Sequence, residues 1–121
     1  MAEVFAGRVS DFKELERKII LHEGVEIGIF LVHGEFYAYM NQCRHRGGPV
    51  CQGRVIRKVE EVLAEDKTSS GFRFSENEVH VVCPWHGFEY DLKTGANAGE
   101  PRIRLKRYDV RLQDGGIHVV V

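Results

Sequence analysis

The sequence predicts an all-β protein, an antiparallel sandwich or small barrel with a second unit inserted into it, and three observations carry that expectation. Short apolar segments alternate with turns at His22-Glu23-Gly24, His33-Gly34-Glu35, Lys93-Thr94-Gly95 and Asp114-Gly115-Gly116, and runs of that length bounded by turn residues read as strands. The segment Val25 to Val32 is apolar on both phases, with Val25, Ile27, Ile29 and Leu31 on one and Phe30 and Val32 on the other; a strand buried on both faces belongs inside a layered β fold. Two strand-loop-strand passages, Phe36 to Gly53 and Phe88 to Leu92 with Val79 to Val82 before it, mirror each other, and each holds one cysteine and one histidine in its loop. The inserted unit is expected to run from Gln42 to Pro101.

Taken in order, Glu3 to Val9 forms a first strand ended by Ser10-Asp11. One helical turn follows at Phe12 to Leu15, capped by Ser10 or Asp11. Lys18 to Leu21 and Val25 to Val32 flank a hairpin whose glycine sits where a positive φ is wanted. Phe36 to Met40 then delivers the chain to the first loop. From Arg54 to Glu65 the pattern fits both a helix face and a gapped strand, and Asp66 to Gly71 is turn chemistry, which favours a β-hairpin excursion over a helix. Ile103 and Leu105 share one parity and Tyr108, Val110 and Leu112 the other, so the chain bulges or bends at Lys106-Arg107. The last strand is Ile117 to Val121.

At 121 residues and 43% hydrophobic content the chain makes one globular domain, 1–121, with one modest core. No apolar run is long enough to span a membrane, and the start, Met1 to Phe5, lacks both a basic region and an apolar signal core. A soluble cytoplasmic protein is expected. The net charge of −1 implies no bulk attraction to nucleic acid or to an anionic membrane. Acidic residues outnumber basic ones in 1–40 and the reverse holds in 101–121. Three cysteines argue against a disulfide framework and for a reducing compartment. Of these, Cys51 reads as a small buried apolar residue.

The remaining two cysteines carry the chemistry. Cys43-Arg44-His45 and Cys83-Pro84-Trp85-His86 together offer two thiolates and two imidazoles, a set that suits an iron–sulfur cluster or zinc. Each loop ends in glycine just past its histidine, at Gly47-Gly48-Pro49 and Gly87, where a missing Cβ lets backbone approach an inorganic centre. Zinc takes the same donors in a tetrahedral structural site. A zinc finger, however, pairs cysteine with cysteine and histidine with histidine, and here they alternate within each loop. His22, His33, His80 and His118 show no helical metal-ligand spacing and read as ordinary surface or satisfied residues.

At these residues the chain resembles the Rieske [2Fe-2S] proteins, and among them the soluble ferredoxins that serve multicomponent oxygenases. The resemblance rests on both ligand pairs, on Gly47-Gly48-Pro49, on Cys83-Pro84-Trp85-His86-Gly87, and on Gly99-Glu100-Pro101, which is similar to the family's proline loop. It implies one [2Fe-2S] cluster per chain, with Cys43 and Cys83 on one iron and His45 and His86 on the other. Such centres have potentials of about −150 to +300 mV. Respiratory members of the family carry an extra disulfide between the loops. Gly48 and Trp85 occupy the matching places here, which favours the ferredoxin branch and the lower half of that range. The implied role is a one-electron carrier between a flavin-dependent reductase and a terminal oxygenase, docking near His45 and His86 with Arg44, Arg46 and Trp85 alongside. No catalytic residue of its own is implied. Two other roles remain open: a small non-catalytic subunit of a nitrite-reductase-like enzyme, and a redox-sensing module using Cys51 or the surplus segment 54–77, which is longer than the family pattern requires.

Overall fold

The computed structural model describes residues 2–63 and 69–121, with side chains described at 2–57 and 78–121. It is an all-β chain of nine strands among the described residues: β1 (Glu3–Arg8), β2 (Arg17–His22), β3 (Val25–Val32), β4 (Glu35–Met40), β5 (Arg54–Leu63), β6 (Ser69–Val82), β7 (Glu89–Asp91), β8 (Arg107–Gln113) and β9 (Gly116–Val120). Two sheets result, a six-stranded one in the order β1-β9-β8-β4-β3-β2 and a three-stranded one in the order β5-β6-β7. Every pairing is antiparallel. Three hairpins of the large sheet close through two residues of positive φ, Glu23-Gly24, His33-Gly34 and Asp114-Gly115. Such turns match the twist of the strands they join.

The chain leaves the large sheet after Met40 and rejoins it at Arg107, where Ala38 pairs with Tyr108 and Tyr39 with Arg107. The small sheet and both cysteine-histidine loops lie in this excursion. Its placement explains the double burial of β3. Ile27 and Ile29 join Ala6, Ala38, Ile117 and Val119 in one core, while Phe30 and Val32 turn the other way to join Tyr39, Val50, Val81, Tyr90 and Leu92 in a second. β4 divides in the same manner, Ala38 to the first core and Tyr37 and Tyr39 to the second. Full burial of such a side chain contributes about 1.5–3 kcal/mol, so one pair of strands anchors both halves.

The parity change at Lys106-Arg107 marks the hand-over between these cores. Leu105 is buried in the second and Tyr108 packs on the first. The hairpin expected over 54–77 is present as β5 and β6, with Val79 to Val82 forming the end of the long β6 rather than a strand of its own. Two boundaries differ from expectation. The helical turn falls at Val9–Asp11, where Asp11 Oδ2 accepts the Arg8 amide at 3.0 Å, because Phe12 is extended and packs edge-to-face on Phe36 with ring centroids 5.2 Å apart. Ser69 to Gly71, expected in a turn, lie in β6, since Ser69 pairs with Leu63; Asp66, Lys67 and Thr68 lie outside the described residues.

Candidate metal centre

The two loops close on the same backbone pattern. In the first, the Cys43 amide donates to Gly48 O at 2.8 Å and the Gly47 amide to Cys43 O at 2.8 Å. In the second, the Cys83 amide donates to Phe88 O at 2.8 Å and the Gly87 amide to Cys83 O at 3.0 Å. Gly47 and Gly87 both sit at positive φ, +75° and +73°, a region that side-chain-bearing residues rarely enter. These two glycines therefore serve the turn. Close approach is the task of Gly48, where an added Cβ would lie 2.8 Å from Trp85 Cδ2 and 3.1 Å from Cys83 Sγ.

The loops sort their donors by burial. Cys43 and Cys83 are 3% and 2% exposed, whereas His45 and His86 lie at the surface. The histidine rings meet edge to face, their centroids 4.8 Å apart, and Phe88 stacks flat on His45 at 4.2 Å. Burial pushes the Cys83 thiol up from its ordinary value; the amides of Trp85 and His86, aimed at its sulfur, pull it down, and Cys43 pushes it up. Two sulfurs inside and two imidazoles outside, in matched loops with amides directed at sulfur, fit a group that needs both kinds of donor at once.

Tyr90 is the contributor that the sequence did not reveal. It is fully buried on β7, and its phenolic oxygen lies 3.2 Å from Cys43 Sγ and 3.2 Å from the Arg44 amide. The first loop is further fixed by Asn41, whose Oδ1 accepts the Cys51 amide at 2.8 Å, and by Arg17 on β2, which donates to Cys51 O at 2.8 Å and to Gly53 O.

The remaining expected residues take structural positions. Cys51 is fully buried against Gly28 and burial pushes its thiol up to about 12, so it packs as an inert apolar group. His80, at 5% side-chain exposure, lies between Glu89 at 3.1 Å and Glu78 at 3.2 Å. Both of its ring nitrogens therefore have partners. Within the turn at Gly99 to Pro101, Asn97 Oδ1 accepts the amides of Gly99 and Glu100, and Pro101 borders a cavity of about 260 Å³ with Glu78, His80 and Asp91. Trp85 is 57% exposed. No helix among the described residues is long and apolar enough to cross a membrane.

The family model of the Rieske [2Fe-2S] domain matches residues 2–109. The chain belongs to that family. Its relatives include a human Rieske domain-containing protein, 31% identical over 99% of this chain and 75% of the relative. They also include the 3-phenylpropionate/cinnamic acid dioxygenase ferredoxin subunit of Shigella flexneri serotype 5b, 28% identical over 98% of this chain and 93% of that one. Among solved structures, similar folds occur in a complex of reduced oxygenase and oxidized ferredoxin of carbazole 1,9a-dioxygenase, with TM-score 0.71, 18% identity, and coverage of 98% and 92% of the two chains. A putative NADH-dependent nitrite reductase small subunit from Mycobacterium tuberculosis aligns with TM-score 0.71, 17% identity, and coverage of 98% and 93%. The cofactor of a Rieske domain is a [2Fe-2S] cluster, and the donor set, the sulfur-directed amides and the space left by Gly48 fit it.

Proposed function

We propose that Cys43, Cys83, His45 and His86 hold the single cluster of a one-domain electron carrier, residues 1–121, with the cysteines on one iron and the histidines on the other. The observation that carries this reading is the sorting of the donors, thiols buried inside and imidazoles exposed on the same two loops. Bound there, the cluster supplies a reversible one-electron couple, raised in potential because histidines replace charged thiolates. The protein's own residues keep sulfur dry, aim amides at it, and leave His45 and His86 as the surface through which a partner is approached.

The partners are a flavin-dependent reductase and a terminal oxygenase in the cytoplasm, and the chain itself performs no catalysis. Support comes from the dioxygenase ferredoxin relative, which aligns over nearly its whole length, and from the ferredoxin–oxygenase complex among the structures of similar fold. A second reading, the small subunit of a nitrite-reductase-like enzyme, is favoured by the fold shared with the mycobacterial protein. Both readings place the same ligands and differ in the partner.

The deciding experiment is iron, sulfide and zinc analysis of the purified protein with EPR before and after dithionite. Two irons and two sulfides per chain, with a reduced signal averaging below that of all-cysteine clusters, is the expected result. Loss of that signal in Cys43→Ser and in His86→Ala assigns the ligands. A colourless, zinc-loaded protein without a reduced signal overturns the carrier.

A further inference from the structure

The exposed tip around His45 and His86 carries its positive charge on one side. The second loop, Cys83 to Phe88, has no Lys, Arg, Asp or Glu, whereas the first presents Arg44 and Arg46, both exposed. Lys106 joins them from the far end of the excursion. Its carbonyl accepts the Met40 amide at 2.9 Å, which fastens it beside the strand that enters the first loop, and its ammonium lies 5.5 Å from the Tyr108 ring centroid. Arg44, Arg46 and Lys106 line one groove of about 340 Å³ together with Met40, Gln42 and His45.

These cations have no carboxylate partner among the described residues, in contrast to Arg102 on Glu100 at 3.2 Å and Arg111 on Glu3 at 3.2 Å. Glu26 borders an adjoining depression, beyond Gln42 and Gly47. The molecule as a whole is slightly anionic, at −1, so the local charge opposes the global one at the place where electrons leave or enter. Screening shortens electrostatic reach to about 8 Å at physiological ionic strength, and at contact distance the local charge decides.

We infer that this groove receives an acidic segment of the redox partner, with Asp or Glu carboxylates set against Arg44, Arg46 and Lys106 and the exposed Trp85 and Pro84 forming the apolar part of the contact. The inference rests on the electron-carrier reading and adds to it the charge of the partner. Arginine forks take carboxylates in paired hydrogen bonds. Three cations in one depression suit a short acidic loop, and a chain with 17 basic and 18 acidic residues offers no extended track for a nucleic acid.

The test needs no identified partner. Dithionite-reduced holoprotein, freed of reductant, is mixed in a stopped-flow instrument with hexacyanoferrate(III) or with tris(phenanthroline)cobalt(III). Each oxidant takes one electron from the protein without atom transfer, and the two differ in charge sign. The expected result is that added salt slows oxidation by hexacyanoferrate and speeds oxidation by the cobalt complex, against the sign of the net charge. The triple variant R44E/R46E/K106E reverses both dependences and slows the hexacyanoferrate reaction on the order of tenfold. Hexaglutamate peptide competes with hexacyanoferrate on the wild type and not on the variant. Lys106→Glu alone, outside both ligand loops, gives a smaller change of the same sign should the triple variant fail to assemble its centre. Salt dependences that follow the net charge, or that are unaltered by K106E, overturn the inference with the carrier intact. A preparation with no reducible visible bands before any oxidant is added overturns the carrier reading itself, and the inference with it.

Discussion

The phenolic oxygen of Tyr90 lies 3.2 Å from Sγ of Cys43 and accepts the amide proton of Arg44 at the same distance. Either atom can carry the proton of the contact with sulfur, but a cysteine that ligates iron is a thiolate and can only accept, so in the cluster-bound protein the phenol is the donor. A hydrogen bond to a ligand sulfur disperses negative charge and therefore favours the reduced state. Tyr90→Phe removes the proton and keeps the ring, so the fold and iron content are expected to hold while the reduction potential falls by about 40 mV. That figure assumes about 1 kcal/mol of difference between the two oxidation states and a one-electron couple. Tyr90 moves the expected potential upward within the Rieske range. Spectroelectrochemical titration of both proteins checks it, and equal potentials would show that the phenol does not act on the sulfur.

Gly48 and Trp85 form the second pair that matters at the site. A Cβ at Gly48 would meet the indole at 2.8 Å and Cys83 Sγ at 3.1 Å. Gly48→Ala is accordingly expected to lose about 1–3 kcal/mol of stability to overpacking and to lower cluster retention. Trp85→Ala removes the nearer obstacle. The double variant should regain part of what Gly48→Ala loses, measured as guanidinium midpoint and as iron per chain. Additive losses would mean that the Cys83 sulfur, not the indole, sets the limit.

How much of this was legible depends on whether the cause was local in sequence. The hairpin turns, the two-faced apolar pattern of Val25 to Val32 and the pairing of one cysteine with one histidine in each loop could be read directly, because each is written within a few consecutive residues. Tyr90 could not, since it reaches Cys43 across 47 positions and only the register of β7 against β6 brings it there. Lys106 was likewise visible only as a parity change until the Met40 amide tied its carbonyl to the end of β4, where the first loop begins. The displaced helical turn has a similar cause, the pull of Phe36 on Phe12, which no cap residue announces. At Gly47 and Gly87 the residue type was legible and its reason was not: both answer to backbone φ, whereas Gly48 answers to crowding.

Arg17 connects the large sheet to the first loop through its hydrogen bonds to Cys51 O and Gly53 O. Arg17→Met keeps the aliphatic stem and removes the donors, leaving two carbonyls with one partner fewer. A loss of about 1–3 kcal/mol is expected, together with faster iron loss to a chelator, because the loop that carries Cys43 and His45 is anchored at that point. Chelation rates equal to wild type would place the anchor elsewhere, with Asn41 and its bond to the Cys51 amide as the next candidate.

Cys51 gives the stability a pH dependence of known sign. Burial pushes its thiol from 9.0 up to about 12, so between those values the unfolded chain has released a proton that the folded chain retains. Stability from this group is complete below about pH 9 and declines as pH rises towards 12, with a limiting slope of about 1.4 kcal/mol per pH unit. Cys51→Ala is less stable at neutral pH, by about 1–3 kcal/mol for the lost packing, yet it should lose about 1 kcal/mol less than wild type between pH 8 and pH 10. Tyr39, whose phenol burial also raises, and the other cysteines are common to both proteins and cancel in the comparison. Denaturant midpoints at the two pH values measure the difference directly. Parallel losses in the two proteins would mean that the Cys51 thiol ionises in the folded state as readily as in the unfolded one, which its full burial beneath Gly28 opposes.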